Sequence, residues 1–274
     1  AFRTEYVWGI RSMADGRHYT TQEYSPKRGS CIVKWSYKTG RVVDTLLTSE
    51  MAFGDPRETF DGYEFSSDER FVVLTTSTES LYRHSFYANF YVYDFKSDDD
   101  ARPVTDFNQG KQRLAQLSPA GDKVAFVRNN DIFITDLATG EETRVTEDGE
   151  TNAIINGATD WVYEEEFGDD QALFWSGDGS RLAYLKFNER DVREFHMPMY
   201  GSLYPDPYTF KYPKAGETNS EVSVHIYAME DGKSRAVAVP KSAHYIPRIK
   251  WTNDPSVLCI FTMNRHQNDL RFLL

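Results

Sequence analysis

The chain has little of what would mark the commoner chemistries. Only two cysteines occur in 274 residues, Cys31 and Cys259. They lie far apart in apolar stretches, so each reads as a small buried hydrophobe and neither a disulfide framework nor a metal site is indicated. The six histidines, His18, His84, His196, His225, His244 and His266, are scattered without HExxH or other ligand spacing, so no metal is implied. No run of Lys or Arg exceeds two residues and the formal net charge is −11, which disfavours nucleic acid as a partner. No segment approaches the ~18 apolar residues of a membrane span, and the opening AFRTEYVWGI lacks the basic and apolar parts of a signal peptide. Any export signal or anchor is therefore expected to lie upstream or to have been removed. Asn-x-Ser/Thr acceptor sites are missing, as is a glycine-rich phosphate loop after a strand, so no nucleotide cofactor is implied. A GxSxG nucleophile elbow is missing too: Gly232-Lys233-Ser234 is followed by Arg235 and Ala236, in a β-turn setting.

What is present is a repeat. A Ser-x-x-Asp/Gly turn between short apolar strands occurs at SMADG from Ser12, SSDER from Ser66, SPAGD from Ser118, SGDGS from Ser176 and TNDPS from Thr252, at intervals of 54, 52, 58 and 76 residues. A second set of segments keeps the same phase: CIVKWSYKTG from Cys31, NFYVYDFKSD from Asn89, DIFITDLATG from Asp131 and SVHIYAMEDG from Ser223. Each alternates large apolar and polar residues before a turn, as a third strand would. Four short strands per ~50 residues predict an all-β fold, a β-propeller of four-stranded blades. The competing β-sandwich would not normally reuse one turn at one phase.

Two irregularities stand out. The last repeat opens with IPRIKWTNDPSVLCIFTMN and reaches Leu274 inside its third strand. Residues 1–274 are thus expected to be the amino-terminal part of an incomplete propeller, about four and a half blades, with the natural protein continuing. The stretched interval places its surplus at Met197 to Asn219, whose prolines and aromatics predict an ordered arm.

The densest charge is at Asp160 to Glu166, DWVYEEE. In an arbitrary protein such a run is a solvated helix face. Asp160 is expected to cap a short helix that Trp161 and Tyr163 pack down. Neighbours on a helical turn diverge by about 100°, so Glu165 and Glu166 can flank a small cation while Glu164 faces elsewhere and holds the segment. An ammonium offers three donors and no acceptor, which suits two carboxylates approaching from different sides.

GATDWVYEEEF (Gly157 to Phe167), FWSGDGSRLAYLKFNE (Phe174 to Glu189), YPKAGETN (Tyr212 to Asn219) and LYRHSFYANFYVYD (Leu81 to Asp94) resemble, in order, the amino-terminal propeller of the dipeptidyl peptidase IV family. These are serine exopeptidases of the prolyl oligopeptidase superfamily. The resemblance implies an eight-bladed ring capping an α/β-hydrolase domain, and release of Xaa-Pro or Xaa-Ala dipeptides from peptides with a free N-terminus. It implies that Glu165 and Glu166 grip the substrate α-ammonium and that Arg83 contacts the carbonyl of the second residue. An ion pair with a neighbouring carboxylate is the other reading of Arg83. The Ser-Asp-His triad, absent from these residues, is expected downstream, so the chain alone should be inactive. No cofactor is implied.

The family likeness also implies a homodimer through the arm from Met197 to Asn219, a loop packed on its own blade being the alternative. FGDDQALFW is one residue shorter than its counterpart in animal members and resembles bacterial forms, so Gly168 to Gln171 receive no role. A periplasmic or secreted enzyme is expected. Two other functions remain open: a non-catalytic propeller that binds partners, and a sibling endopeptidase or acylpeptide hydrolase, which would lack the glutamate pair.

Overall fold

The computed structural model of the chain describes residues 8–97 and 99–274, so most of the opening stretch AFRTEYVWGI lies outside the described residues. Packing divides the described residues into two units. One holds those up to Thr78 with Ala88–Phe107, and the other holds Glu79–Tyr87 with Asn108–Leu274.

In the first unit, β1 (Arg11–Ser12), β2 (His18–Ser25), β3 (Gly29–Ser36) and β4 (Val42–Thr48) form an antiparallel meander. Helix α1 (Ser49–Phe53) follows, capped by the Thr48 side chain and by Gly54 in the left-handed region. A second meander is built from β5 (Gly62–Phe65), β6 (Phe71–Ser80), β7 (Phe86–Asp94) and β8 (Arg102–Pro103). Ile32, Leu47, Phe60, Tyr63, Val72 and Leu74 share one buried cluster. Neither sheet could bury both faces alone, which is why blades stack.

The second unit contains the far end of the β6–β7 hairpin, three larger sheets and a separate two-stranded one. The first consists of β9 (Arg113–Leu117), β10 (Lys123–Arg128), β11 (Asp131–Asp136) and β12 (Glu142–Arg144), again a meander. In the next, β13 (Ile154–Asn156) is followed by helix α2 (Trp161–Phe167), then β14 (Leu173–Trp175) and β15 (Arg181–Asn188). A separate hairpin of β16 (Glu194–Met199) and β17 (Asp206–Lys211) intervenes before β18 (Glu221–Ala228) and β19 (Lys233–Val237) complete the sheet. The last sheet has three strands, β20 (Tyr245–Trp251), β21 (Leu258–Met263) and β22 (Leu270–Leu273). Residues from all three sheets, among them Val127, Ile132, Leu173, Leu185, Ile246 and Ile260, form one core cluster.

The fold is therefore nearly all-β and its four-stranded sheets are propeller blades, as the repeat predicts. The four phased segments are β3, β7, β11 and β18, the third strand of each blade. The repeated turn recurs down to its bonds. At Ser66, Ser118 and Ser176 the amide donates to the carbonyl five residues on, and the hydroxyl accepts the amide of that same residue. The first copy differs: the equivalent amide belongs to Met13, bonded to the His18 carbonyl, one residue later than the SMADG match places it. Methionine has no hydroxyl, so the side-chain half of the turn is lost there. Cys31 is buried and Cys259 half-buried, both free. The arm is ordered, as its composition predicts, and begins at Glu194, three residues before the expected start.

Candidate functional site

Helix α2 is an excursion from a single strand. The strands β13 and β14 both pair with β15, Asn156 opposite Lys186 and Leu173 opposite Tyr184, so the ladder skips only Leu185. Leu185 in turn exchanges backbone bonds with both ends of the excursion, accepting from Gly157 and donating to Ala172. The chain can leave the sheet at Gly157 because that residue sits at φ +76°, and a Cβ there would lie 2.8 Å from the Ile132 side chain. Fifteen residues, 158–172, then present the acidic run and return to the same strand.

Asp160 caps the helix as its position predicts, its carboxylate accepting the Tyr163 amide at 3.0 Å and the Ser220 hydroxyl at 2.6 Å. Burial pushes its pKa up, and the bonds from Ser220 and the Tyr163 and Val162 amides oppose that. Tyr163 is buried and its phenol oxygen accepts the Ile246 amide at 2.9 Å, while Trp161 lies against Tyr212 with ring centroids 4.2 Å apart. Gly168 ends the helix in the left-handed region. Arg248 donates to the Phe167 carbonyl at 2.8 Å and to Asp169 at 3.0 Å, placing a cation at the negative end of the dipole. Burial raises Asp169 to about 6 against the pull of that guanidinium.

The three glutamates take three different directions. Glu164 is 0% exposed and one of its oxygens accepts the backbone amides of His84 and Ser85, at 2.6 and 2.8 Å. Its other oxygen has no partner among the described residues. Glu165 reaches the same hairpin tip and binds the Arg83 Nε at 2.7 Å. Its side chain is 16% exposed, against 68% for Arg83. The two terminal nitrogens of that guanidinium make no hydrogen bond or ion pair among the described residues. Glu166 is exposed and lines a cavity of about 450 Å³ with Trp161, Tyr212, Lys214, Asn219 and Arg265.

Arg83 and Glu165, from segments some 80 residues apart in sequence, meet within one packed unit, whereas Glu166 lines a cavity that does not include Arg83. Arg83 is ion-paired, and its carboxylate partner is one of the two glutamates singled out beside it. The role of Glu164, fastening the loop that carries Arg83, is more specific than its position in the run could reveal. An aromatic group borders the site: Tyr82 packs on Phe210, which contacts Phe195 and Tyr212 at the base of the arm. Arg113 at the start of β9 is a buried arginine that sequence reasoning passed over; the only signal was a cation opening a short strand with three apolar residues. Among the described residues no group of three or more His, Cys, Asp or Glu side chains could hold a metal ion, and no helix is long and apolar enough to cross a membrane.

Comparison with known proteins shows the family. Residues 66–274 match the family model described as the dipeptidyl peptidase IV (DPP IV) N-terminal region. The crystal structure of Porphyromonas gingivalis dipeptidyl peptidase 4 is similar with a TM-score of 0.88 and 45% identity, over 96% of this chain and 37% of that one. Dipeptidyl peptidase 4 of Trichophyton rubrum is 33% identical over 258 residues, 90% of this chain and 31% of the relative. That of Trichophyton equinum is 34% identical over the same length and shares. The chain spans about a third of the length of these relatives. It belongs to the dipeptidyl peptidase IV family, as part of that family's N-terminal region.

Proposed function

We propose that the chain is the substrate-recognition propeller of a dipeptidyl peptidase IV-like serine exopeptidase, which releases Xaa-Pro or Xaa-Ala dipeptides. Hydrolysis belongs to a domain outside this chain. Glu165 and Glu166 hold the substrate α-ammonium, and the free terminal nitrogens of Arg83 donate to the carbonyl of the second residue. The observation that carries this reading is the 2.7 Å bond between Arg83 and Glu165, supported from behind by Glu164 on the neighbouring amides. Such a bond fixes the Arg83 fork relative to the carboxylates before substrate arrives. It also leaves Glu165 with an oxygen for an ammonium donor. An anchor of this kind sets how many residues reach the nucleophile, and so measures two.

The test is steady-state kinetics of the full-length protein on a chromogenic Gly-Pro substrate, with Glu165→Gln and Glu166→Gln variants. Loss of a charge-assisted bond to ammonium is worth about 1.5–3 kcal/mol, so kcat/KM should fall about 10- to 150-fold for each. N-acetylation of the substrate should abolish the difference between wild type and variants. Undiminished cleavage by both variants would remove the anchor role.

The arm, here Met197 to Asn219, is proposed to reach a second copy of the protein. The support is a hairpin whose Met197, Met199, Tyr200, Leu203 and Tyr204 are all exposed. Gel filtration of the full-length protein without the arm should show a monomer, and an unchanged dimer would count against it. A periplasmic or secreted location is part of the same proposal, and fractionation of the source cells tests it.

A further inference from the structure

The two parts of the site rest on one strand of the arm. Tyr82 stands directly before Arg83 at the hairpin tip, and its ring lies 6.1 Å from that of Phe210. Trp161 opens the glutamate helix, and its ring lies 4.2 Å from that of Tyr212. Phe210 and Tyr212 in turn meet edge to face at 5.9 Å. Phe195, opposite Phe210 in the β16–β17 ladder, touches both, at 6.0 and 5.5 Å. All five rings belong to the second unit. Aromatic pairs in contact prefer offset or edge-to-face geometries, so each ring constrains the next.

Phe210 is the middle of this group and is 7% exposed, although the far end of its hairpin, at Tyr200 and Leu203, is open to solvent. Its strand has a footing of its own. Asn152 donates to the Thr209 carbonyl at 3.3 Å, Lys211 to the Val192 carbonyl at 2.9 Å, and the Tyr212 amide to the Arg193 carbonyl at 2.9 Å. The base of β17 is thus fixed independently of Arg83 and the glutamates, and both lean on it. Glu164 holds the tip only after Arg83, at the amides of His84 and Ser85. Before Arg83, Tyr82 on Phe210 supplies the contact.

We infer that Phe210 is a positioning residue for substrate recognition, setting Arg83 through Tyr82 and the glutamate helix through Tyr212 and Trp161. The inference rests on the proposed anchoring of substrate by Arg83, Glu165 and Glu166. A side chain that only filled the core would lower stability and nothing else. One that positions both parts of an anchor also raises KM and leaves kcat nearly unchanged, because the anchor binds ground state and transition state alike.

The experiment compares wild type, Phe210→Ala and Phe210→Leu in the full-length protein, at concentrations where gel filtration gives one size for all three. Amide hydrogen exchange reads residues 81–87 and 161–167 without substrate, and steady-state kinetics on the chromogenic Gly-Pro substrate follows. In Phe210→Ala exchange should quicken at both segments, KM should rise about three- to tenfold, and kcat should change by less than about twofold. Phe210→Leu keeps an apolar contact without the ring and should fall between. Combining Phe210→Ala with Arg83→Met tests the route: the double variant should raise KM by less than the product of the two single effects, since both act on one contact. The inference is overturned by unchanged exchange at either segment, by an unchanged KM, or by single effects that multiply in full. If Phe210→Ala does not fold, Phe210→Leu carries the same comparisons. Failure of the anchor reading is seen separately, in undiminished cleavage by Glu165→Gln and Glu166→Gln, and the exchange readout does not depend on it.

Discussion

Glu164 carries the sharpest prediction about how the site is built. One of its oxygens accepts the amides of His84 and Ser85, at 2.6 and 2.8 Å, and the residue is fully buried. In Glu164→Ala both amides lose their acceptor; the buried Ser85 amide should cost about 1–3 kcal/mol, and the amide of the exposed His84, which can turn to water, less. Removing the carboxylate also removes its own desolvation cost, which offsets part of this in the whole molecule. The loss is therefore expected in the local stability of the hairpin tip, 81–87, more than in global unfolding. Glu164→Gln keeps an acceptor oxygen but without charge, so it should lose less than Glu164→Ala.

Amide hydrogen exchange of the full-length protein reads this directly. If the tip opens locally, 2 kcal/mol corresponds to about 30-fold faster exchange; Glu164→Ala should reach about that at Ser85, with a smaller rise at His84, while Glu164→Gln falls between it and wild type. Arg83 should then be held less firmly, raising KM for a free-amine dipeptidyl substrate. Unchanged exchange at both amides in Glu164→Ala would refute the fastening role, whatever happened to activity.

Three further outcomes follow from the same geometry. Gly157→Ala should destabilise by at least about 1–3 kcal/mol, since the position needs φ +76° and the added methyl meets Ile132 at 2.8 Å; urea denaturation measures it, and a neutral result would contradict the described exit from the strand. Tyr163→Phe should cost about 1–3 kcal/mol by leaving the buried Ile246 amide without an acceptor, again read by urea denaturation, with a change below 0.5 kcal/mol counting against that bond. Glu189 is buried, and desolvation raises its carboxyl from 4.5 to about 7, with Asp160 adding repulsion and Lys211 opposing. A raised carboxyl favours the folded state fully below pH 4.5, and that contribution is lost as pH rises through 7. Glu189→Gln should therefore be more stable than wild type by up to about 3 kcal/mol at pH 8, with the gap closing by pH 4.5; a gap independent of pH would refute the burial argument.

Most of the fold was legible because a blade is written locally. The Ser-x-x-Asp/Gly turn holds itself by a hydroxyl and an amide five residues apart, so the signal and the structure occupy the same short segment. Where the first copy replaces the serine by Met13, the pattern match slips by one residue. The cap at Asp160 and the helix behind it were legible for the same reason. What could not be read were relations between segments distant in the chain. That Glu164 turns to the amides of His84 and Ser85, and that Arg83 is already paired with Glu165, depends on bringing a hairpin tip to a strand excursion about 80 residues later. Arg113 was illegible for a different reason: periodicity locates apolar faces, and a buried cation among them registers only as an interruption.

The placement of the glutamates bears on how the site is kept rigid. A helix of seven residues has too few internal bonds to hold itself, and two of its acidic residues lie toward the end where the dipole opposes them. The structure compensates at every face. Asp160 and Ser220 fix the start, Tyr163 bolts the middle to Ile246, and Arg248 closes the end on the Phe167 carbonyl. Both ends return to the ladder around Leu185, so the excursion cannot slide without breaking β15 pairing. A dense negative charge is thereby held in place by its surroundings. Such an arrangement suits recognition by a fixed anchor better than by a flexible acidic loop, because little ordering entropy remains to be lost on binding.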